Sequence, residues 1–440
     1  MTVNAYSLYT QCRSYLRTAA IIKTLGVFDT TPITSIKLYI NIDSDDVIFG
    51  TPARVLSVVP IHMSLIKQSS VVGVYKSILF ADKNAKHDYT KCLILATKHG
   101  DIRLCQLLTI DPRIRVDEDT VVCASKYNQA KILQLIMQII PPGALSSLSI
   151  RLASVDGYVD VVRVLLASGR VDPGAESNHA IRYAAERGCT EVVRLLAEAN
   201  GVDPSAEDNY AIRYAAENGH AGAVRVLLAD KRVDPSAASN QAICGASQYG
   251  YVEVVKLLLL ASAKDKRINP GANYNYPIIV AATNGYADIV ELLLAASAKD
   301  RRIDPRANGN YPLRMAVDNG HVGVVRVLLA DKRVDPSVYN NYAICSATVG
   351  GHTEIVRLLL LASANNKRVD PGVSRNYPII LASSKGYTEI VRLLVEANGV
   401  DPSANNNNAL IQATENGHTE VVELLKAAIA KRATAKNNTS

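Results

Sequence analysis

The sequence lacks tryptophan and has only three phenylalanines, all within its first 80 residues (Phe28, Phe49 and Phe80), whereas tyrosine continues to Tyr387. Phe and Trp therefore cannot build the core beyond residue 80, and we expect Ala, Val, Ile and Leu to supply it. The hydrophobic fraction is nevertheless 48%, an ordinary value for a folded protein, which excludes wholesale disorder.

The chain also lacks the patterns of disulfides, zinc sites and membrane spans. Its seven cysteines are odd in number and scattered, with no C-x-x-C pair, which favours a reducing compartment and small buried thiols. No run reaches the roughly 18 apolar residues of a membrane helix, because the longest candidate, residues 55–66, is interrupted by Pro60 and His62. We therefore expect no membrane association and a cytoplasmic location, with the nucleus left open.

Motifs of catalysis and cofactor binding are missing as well. The sequence has no phosphate-binding G-x-x-x-x-G-K, no G-x-G-x-x-G, no H-E-x-x-H and no G-x-S-x-G. We therefore predict a protein that is not an enzyme and holds no cofactor, metal or small-molecule substrate. The acidic cluster of Asp43, Asp45 and Asp46 fits a solvated turn better than a cation site.

The net charge of +7 is confined to the two ends of the chain. Residues 1–87 hold nine Lys or Arg and five Asp, and the last fifteen residues add four basic groups without an acid. The body between them carries 35 basic and 36 acidic groups. Because a nucleic-acid-binding protein normally concentrates positive charge on the surface of its body, nucleic acid is not the expected partner.

An internal repeat dominates the remainder of the chain. Asp-Pro, once Asn-Pro, recurs at residues 172, 203, 234, 269, 304, 335, 370 and 401, and a glycine follows each one 16 residues later. From that glycine to the next Asp-Pro the distance is 15 or 19 residues, so that a unit has 31 or 35. The difference is close to one helical turn of about 3.6 residues, which predicts that the second half of each unit is a helix.

The first half of the unit has the pattern of a turn followed by a shorter helix. Pro, Ser and Asp after the Asp-Pro position favour turn geometry, and an asparagine such as Asn209 recurs at a fixed position behind them. Because Asn is a preferred N-cap, we expect its side-chain oxygen to cap the first helix. Ile212, Ala215 and Ala216 would then form the apolar stripe, and Gly219 would end the helix in a left-handed conformation.

The same repeat pattern extends upstream with less regularity, at residues 96–108, 124–136 and 153–166. In the second of these segments, Asn128 stands in place of the glycine. This makes about eleven units over residues 88–430. The unit resembles an ankyrin repeat, as in NYPLRMAVDNGHVGVVRVLL at residues 310–329. The resemblance implies an all-α ankyrin-repeat solenoid that is monomeric and binds partner proteins along its concave face. Similar Asp-Pro-rich arrays occur in amoebae and large DNA viruses, and a viral protein would act in the host cell.

The candidate binding surface is the first helix, opposite its apolar stripe. Tyr210, Arg213 and Tyr214 share a helix face with Glu217, and the preceding unit repeats this arrangement. Arg and Tyr are enriched in binding hot spots, although tyrosines that merely pack between units are the alternative. The predicted partner-binding residues are Arg182, Tyr183, Glu186, Tyr210, Arg213, Tyr214, Glu217, Tyr249, Tyr274, Arg314, Tyr339 and Arg375.

Two further repeated features are predicted to be structural. The histidines that follow the glycine (His220, His321, His352 and His418) should bond the adjacent turn rather than a metal. Basic pairs at 231, 266, 301, 332 and 367 should complement helix C-termini. Lined up, these pairs would instead form a Lys-Arg ridge, and phosphate or nucleic-acid binding through it is one alternative function.

The two ends of the chain fall outside the regular repeat. Residues 1–87 are predicted to cap the array, because a solenoid needs a capping element at each end. A degenerate F-box-like recruitment module is the alternative, and it would make the protein a substrate-recognition adaptor of a ubiquitin ligase. Residues 431–440 are predicted to be a disordered basic tail.

Overall fold

The structure, a computed structural model, describes residues 89–110, 114–143, 145–364 and 369–437. The capping element and the recruitment module predicted for residues 1–87 lie outside these residues. Within the described residues, 22 helices follow one another as eleven helix-turn-helix pairs, the number that the repeat predicts. The regular structure there also includes an isolated parallel β-bridge between Leu145 and Val171.

The first compact unit contains the described residues up to Glu176, together with Ala199–Gly201. Its helices are α1 (Tyr89–Lys98), α2 (Ile102–Thr109), α3 (Glu118–Lys126), α4 (Ala130–Ile139), α5 (Leu148–Val155) and α6 (Val159–Ser168). Leu104, Leu133 and Leu165 are fully buried in this unit, so that aliphatic side chains form its core. Asn128 follows α3 with a φ of 55°, which confirms that it adopts the left-handed conformation of the glycines.

The second compact unit contains Ser177–Glu198 and the described residues from Val202 onward. Its first helices are α7 (Ala175–Glu186, from Ser177), α9 (Ala206–Glu217), α11 (Ala237–Tyr249), α13 (Ala272–Thr283), α15 (Ala307–Asp318), α17 (Val338–Val349), α19 (Val373–Ser384) and α21 (Ala404–Glu415). Its second helices are α8 (Thr190–Ala197), α10 (Ala221–Ala229), α12 (Val252–Ser262), α14 (Ala287–Ser297), α16 (Val322–Ala330), α18 (Thr353–Ala364), α20 (Thr388–Glu396) and α22 (Thr419–Asn437).

The length of the second helix follows the length of the unit. In the 35-residue units, α12 and α14 have 11 residues and α18 has 12, whereas α10, α16 and α20 of the 31-residue units have 9. Two or three of the four extra residues therefore extend the second helix, and the others lengthen the segment that follows it.

The apolar stripe of the first helix is buried as predicted. Ile212, Ala215 and Ala216 of α9 are fully inaccessible to solvent, and so are Val224 and Leu227 of α10. Full burial of a side chain as large as Ile212, Val224 or Leu227 stabilises the fold by roughly 1.5–3 kcal/mol. The small alanines allow neighbouring helices to approach closely, which explains why the core needs no large aromatic residue.

The glycine that follows seven of the first helices makes room for a ring of the next unit, at residues 188, 219, 250, 285, 320, 351 and 386. Gly285 has a φ of 83°, and a Cβ atom there would lie 2.8 Å from Nδ1 of His321. Nε2 of His321 is 2.9 Å from the carbonyl oxygen of Thr283, and Nε2 of His418 is 3.0 Å from that of Ser384. The prediction that these histidines bond the adjacent turn is confirmed at both positions.

The N-cap prediction for the recurring asparagine is wrong. Glu207, Asp208 and Asn209 have φ values of 53° to 58°, so the right-handed part of α9 starts only at Tyr210. Asn209 tolerates this left-handed conformation. Its Oδ1 accepts a hydrogen bond of 2.6 Å from the backbone N–H of Asp234 in the next unit. The same bond joins Asn178 to Asp203, Asn240 to Asn269, Asn275 to Asp304, Asn341 to Asp370 and Asn376 to Asp401.

The prediction of a disordered tail at residues 431–440 also needs correction. Residues 431–437 continue helix α22, which ends at Asn437, and the last three residues lie outside the described part. Alanine and lysine in this segment have high helix propensity. Arg432 further anchors the helix by donating hydrogen bonds to the backbone carbonyls of Val400 and Val395.

Candidate functional site

The duplicated tyrosines of α7 and α9 form a continuous row of rings. His179 stacks on Tyr183 at 4.2 Å between ring centroids, Tyr183 lies 5.6 Å from Tyr210, and Tyr210 stacks on Tyr214 at 4.1 Å. All four side chains are half-buried. The structure thus brings the predicted residues of two successive units together in one cluster, which we call the ring row.

The two predicted arginines beside the ring row, Arg182 and Arg213, donate hydrogen bonds to the protein's own backbone. Nε and Nη2 of Arg213 donate hydrogen bonds of 2.7 and 3.0 Å to the carbonyl oxygens of Asp208 and Glu207. Its Nη1 donates to Oε1 of Gln241 in the next unit at 2.6 Å. These carbonyls belong to the left-handed turn, so Arg213 satisfies acceptors that the turn exposes while its guanidinium lies 5.5 Å from the ring centroid of Tyr214.

Arg182 has a similar place one unit earlier. Its Nε donates a hydrogen bond of 2.8 Å to the carbonyl oxygen of Ser177. Its Cζ lies 5.5 Å from the ring centroid of Tyr183 and 5.2 Å from that of Tyr210 in the next unit. Cation–π contacts of this length contribute about 0.5–1 kcal/mol at exposed sites, which helps to hold both side chains in place.

The predicted glutamates join neighbouring units. Oε2 of Glu186 accepts a hydrogen bond of 2.6 Å from the hydroxyl of Tyr210, and Oε2 of Glu217 accepts one of 2.8 Å from Nε2 of Gln241. Burial and the Glu186 carboxylate raise the pKa of Tyr210, so the hydroxyl stays protonated and keeps donating. Equivalent bonds link Gln248 to Tyr276 and Asp318 to Tyr342, each at 3.0 Å. The partners in these bonds are 24 or 28 residues apart in the sequence, and we did not predict them.

A second cluster surrounds Arg314. Its Cζ lies 5.1, 4.5 and 5.7 Å from the ring centroids of Tyr311, Tyr339 and Tyr342. The ring of Tyr339 lies over Gly309, where a Cβ atom would be only 2.6 Å from it, yet 61% of Tyr339 remains exposed. The sequence pointed to Arg314 and Tyr339 but not to the other two tyrosines, whose contacts depend on stacking between units.

The three remaining predicted residues are exposed. Tyr274 is 86% exposed and Tyr249 is 48% exposed, and Arg375 also faces solvent. Tyr274 and Arg375 belong to left-handed turns, with φ values of 59° and 57°. Large side chains that are held out from a turn in this way are available to a partner without any rearrangement of the core.

A cavity between α9, α11 and α13 is a feature that we did not predict from the sequence. It has a volume of about 360 Å³ and is lined by Glu217, Ala238, Gln241, Cys244, Gly245, Gln248, Asn273 and Tyr276. Cys244 and Gly245 stand in α11 where α9 has Arg213 and Tyr214. The loss of two large side chains at these positions was the only signal in the sequence.

Within the described residues, one arginine of each basic pair of the predicted Lys-Arg ridge forms an ion pair with the aspartate two residues before it, and the pair at 367–368 lies outside those residues. Nε and Nη2 of Arg232 contact the carboxylate of Asp230 at 3.0 and 2.6 Å, and this hydrogen bonding lowers the pKa of that carboxyl. Arg232 also donates to the carbonyl oxygen of Ala197, the last residue of α8. Corresponding pairs are Arg267 with Asp265, Arg302 with Asp300 and Arg333 with Asp331. This geometry supports the structural explanation, in which basic groups complement helix C-termini.

Metal and thiol chemistry find little support in the described residues. They contain no group of three or more His, Cys, Asp and Glu side chains that could hold a metal ion. Burial raises the pKa of Cys105 to about 12 and that of Cys244 to about 11, so that neither forms the reactive thiolate readily at neutral pH. None of the helices in the described part of the chain has the length and hydrophobicity of a membrane-spanning segment.

The described residues form successive pairs of helices with the same buried positions, while the polar side chains at equivalent exposed positions differ from pair to pair. These features define an all-α helical-repeat protein. The family model of ankyrin repeats matches three times, at residues 150–239, 243–340 and 341–437, which together make up about two thirds of the chain. The chain therefore belongs to the ankyrin-repeat family, and the predicted resemblance and fold class are confirmed. A search of curated proteins gave no match. Ankyrin repeats are generally protein–protein interaction modules.

Proposed function

We propose that this protein is a non-enzymatic scaffold that binds partner proteins through its first-helix face. By this face we mean the side of α7 to α21 that carries the ring row, the Arg314 cluster and the exposed tyrosines. The adaptor alternative depends on residues 1–87, outside the described part, and the ion pairs of the ridge weaken the nucleic-acid alternative.

The observation that carries the proposal is a contrast between the two sides of the same helices. The buried stripe keeps alanine or another small residue from unit to unit, as at Ala215, Ala246 and Ala281. The position two residues before this alanine is Arg213, Cys244 and Ile279 in the same three helices, and the helix pairs form in each case. Because the frame does not dictate these side chains, their identity is free to encode the choice of a partner.

The ring row and the Arg314 cluster are also preorganised. Their arginines and tyrosines are held by hydrogen bonds and ring contacts before any partner arrives, as for Arg213 and Arg314. Side chains that are already ordered lose little conformational entropy on binding, so more of the contact energy becomes affinity. Arg and Tyr are, in addition, the residue types that dominate binding hot spots.

The test is capture of cell proteins by the full chain, read by mass spectrometry. In the first variant, the exposed residues Tyr249, Tyr274 and Arg375 are replaced together by alanine. Because two of these side chains belong to exposed turns, we expect unfolding free energies within about 0.5 kcal/mol per site of wild type, together with loss of the captured proteins.

The matched control changes the opposite side of the same array. Arg194, Arg225 and Arg392 lie on second helices, are 50–65% exposed and form surface ion pairs, so their replacement by alanine should leave folding and capture unchanged. A second variant replaces Arg182, Tyr183, Arg213 and Tyr214. Unchanged capture by both folded first-helix variants would refute the proposal.

Two further outcomes would replace the proposal by one of the alternatives. Recovery of ligase subunits with the full chain, but not with a chain that begins at residue 88, would indicate the adaptor. Retention of DNA or RNA at about 150 mM salt, reduced by removing the ridge lysines, would indicate nucleic-acid binding.

A further inference from the structure

The cavity lies in the second compact unit, at a repeat whose first helix departs from the sequence pattern of its neighbours. The outward pair of the first helix is Arg182-Tyr183 in α7 and Arg213-Tyr214 in α9, but Cys244-Gly245 in α11. Cys244 is buried and Gly245 has no side chain, so neither fills the space that the larger pair takes in the neighbouring helix. The cavity of about 360 Å³ opens at this pair.

The neighbouring helix α9 shows what such a space accommodates. There the guanidinium of Arg213 is bound by the carbonyl oxygens of Glu207 and Asp208 in the left-handed turn. The equivalent residues of the α11 turn are Ala238 and Ser239, with φ values of 49° and 57°. Ala238 lines the cavity, whereas the carbonyl of Ser239 accepts a hydrogen bond of 3.3 Å from Nδ2 of Asn273.

The charge of the cavity selects for a cation. Glu217 is the one charged residue among those that line it. Its Oε2 accepts from Gln241, whose own Oε1 is already bound to Arg213, and a carboxylate offers about four acceptor sites in all. Oε1 of Gln248 lies on the same cavity and is bound to the hydroxyl of Tyr276 at 3.0 Å. A fork of N–H donors fits this set of oxygens better than a point charge does.

We propose that the cavity at Cys244 and Gly245 binds an arginine side chain of a partner protein, with the guanidinium paired to Glu217. The inference rests on the proposed function, because it names the anchor residue that the scaffold would recognise. A volume of about 360 Å³ is near the lower end for ligand sites and suits one long side chain. The partner's arginine would supply to α11 the guanidinium group that Arg182 supplies in α7 and Arg213 in α9.

The direct test uses N-acetyl-arginine amide as the probe and the full chain as the receptor, with binding followed by ligand-observed NMR. The lysine and citrulline analogues serve as comparators, because lysine keeps the charge without the fork and citrulline keeps the shape without the charge. We expect a Kd in the millimolar range, as befits a single side chain, and weaker binding of both analogues.

Two variants then connect the binding to the cavity. Glu217→Gln keeps the size of the side chain but removes its charge, and we expect affinity for the arginine probe to fall about tenfold. Cys244→Arg places a guanidinium in the cavity from within the chain and should abolish binding. The matched control is Cys345→Arg, because Cys345 stands at the equivalent position of α17, away from the cavity, and this change should leave binding intact. Circular dichroism checks that each variant is folded.

The outcomes separate this inference from the proposed function. Absence of probe binding, equal binding of all three amides, or full binding by folded Cys244→Arg would each overturn the arginine site. Proteins captured equally well by wild type and Cys244→Arg would also overturn it while leaving the scaffold standing. Specific probe binding without capture of any protein would support the site and overturn the scaffold.

Discussion

Replacement of Gly285 by alanine would test whether the contact between a ring and a glycine keeps neighbouring units in register. Gly285 has a φ of 83°, and a new Cβ atom would lie 2.8 Å from Nδ1 and 2.9 Å from Cε1 of His321. Gly399 is the matched control. Its φ is 84°, but its Cβ atom would meet only Oδ1 of Asp370, at an ordinary 3.7 Å.

The two substitutions separate backbone strain from steric overlap. A left-handed conformation costs a non-glycine residue roughly 1–2 kcal/mol, and both variants should lose this amount of unfolding free energy. Gly285→Ala must in addition displace the His321 ring, and overpacking of this kind costs about 1–3 kcal/mol. We therefore expect losses of about 1–2 kcal/mol for Gly399→Ala and about 2–5 kcal/mol for Gly285→Ala.

Urea unfolding followed by far-ultraviolet circular dichroism measures both losses, and it does not depend on tryptophan, which the chain lacks. Midpoints and slopes are compared together, because repeat arrays can unfold in more than one step. Combining Gly285→Ala with His321→Ala removes the overlap, so in that background the glycine substitution should cost no more than it does at Gly399. Equal losses for the two single variants, or a difference that persists without the ring, would refute the reasoning.

Three further predictions concern contacts between or within units. Asn376→Gly keeps the left-handed conformation but removes the hydrogen bond to the next unit, and should lower the unfolding free energy by about 1–2 kcal/mol, measured by urea unfolding. Tyr210→Phe should cost about 1 kcal/mol through the lost bond to Glu186, whereas Tyr214→Phe should cost less; equal effects would contradict the assignment. Hydrogen bonding to the neighbouring arginine lowers the pKa of Asp300, so its stabilisation is present above about pH 4 and is lost as the pH falls below that value, and Asp300→Asn should flatten this acid-induced loss in low-salt urea titrations.

The helical repeat was predictable because it depends on local spacing. A four-residue difference in unit length indicated a helix, the glycine after each first helix indicated a left-handed end, and Ile212 with Ala215 indicated the buried stripe. Backbone geometry and helix periodicity act over a few residues, so one unit repeated many times reveals them. The candidate site was predictable only as a set of positions on a helix face.

Partners across units were beyond the reach of the sequence. The predicted N-cap at Asn209 failed because its side chain binds the backbone of Asp234, 25 residues away, which no local rule contains. The cavity at Gly245 likewise exists only because three helices surround the gap. The sequence by itself thus determined the helices, their number and their buried faces, since these follow from periodicity. Only the tertiary structure decided which side chains meet, because stacking sets the distances between residues that are 24 to 38 positions apart.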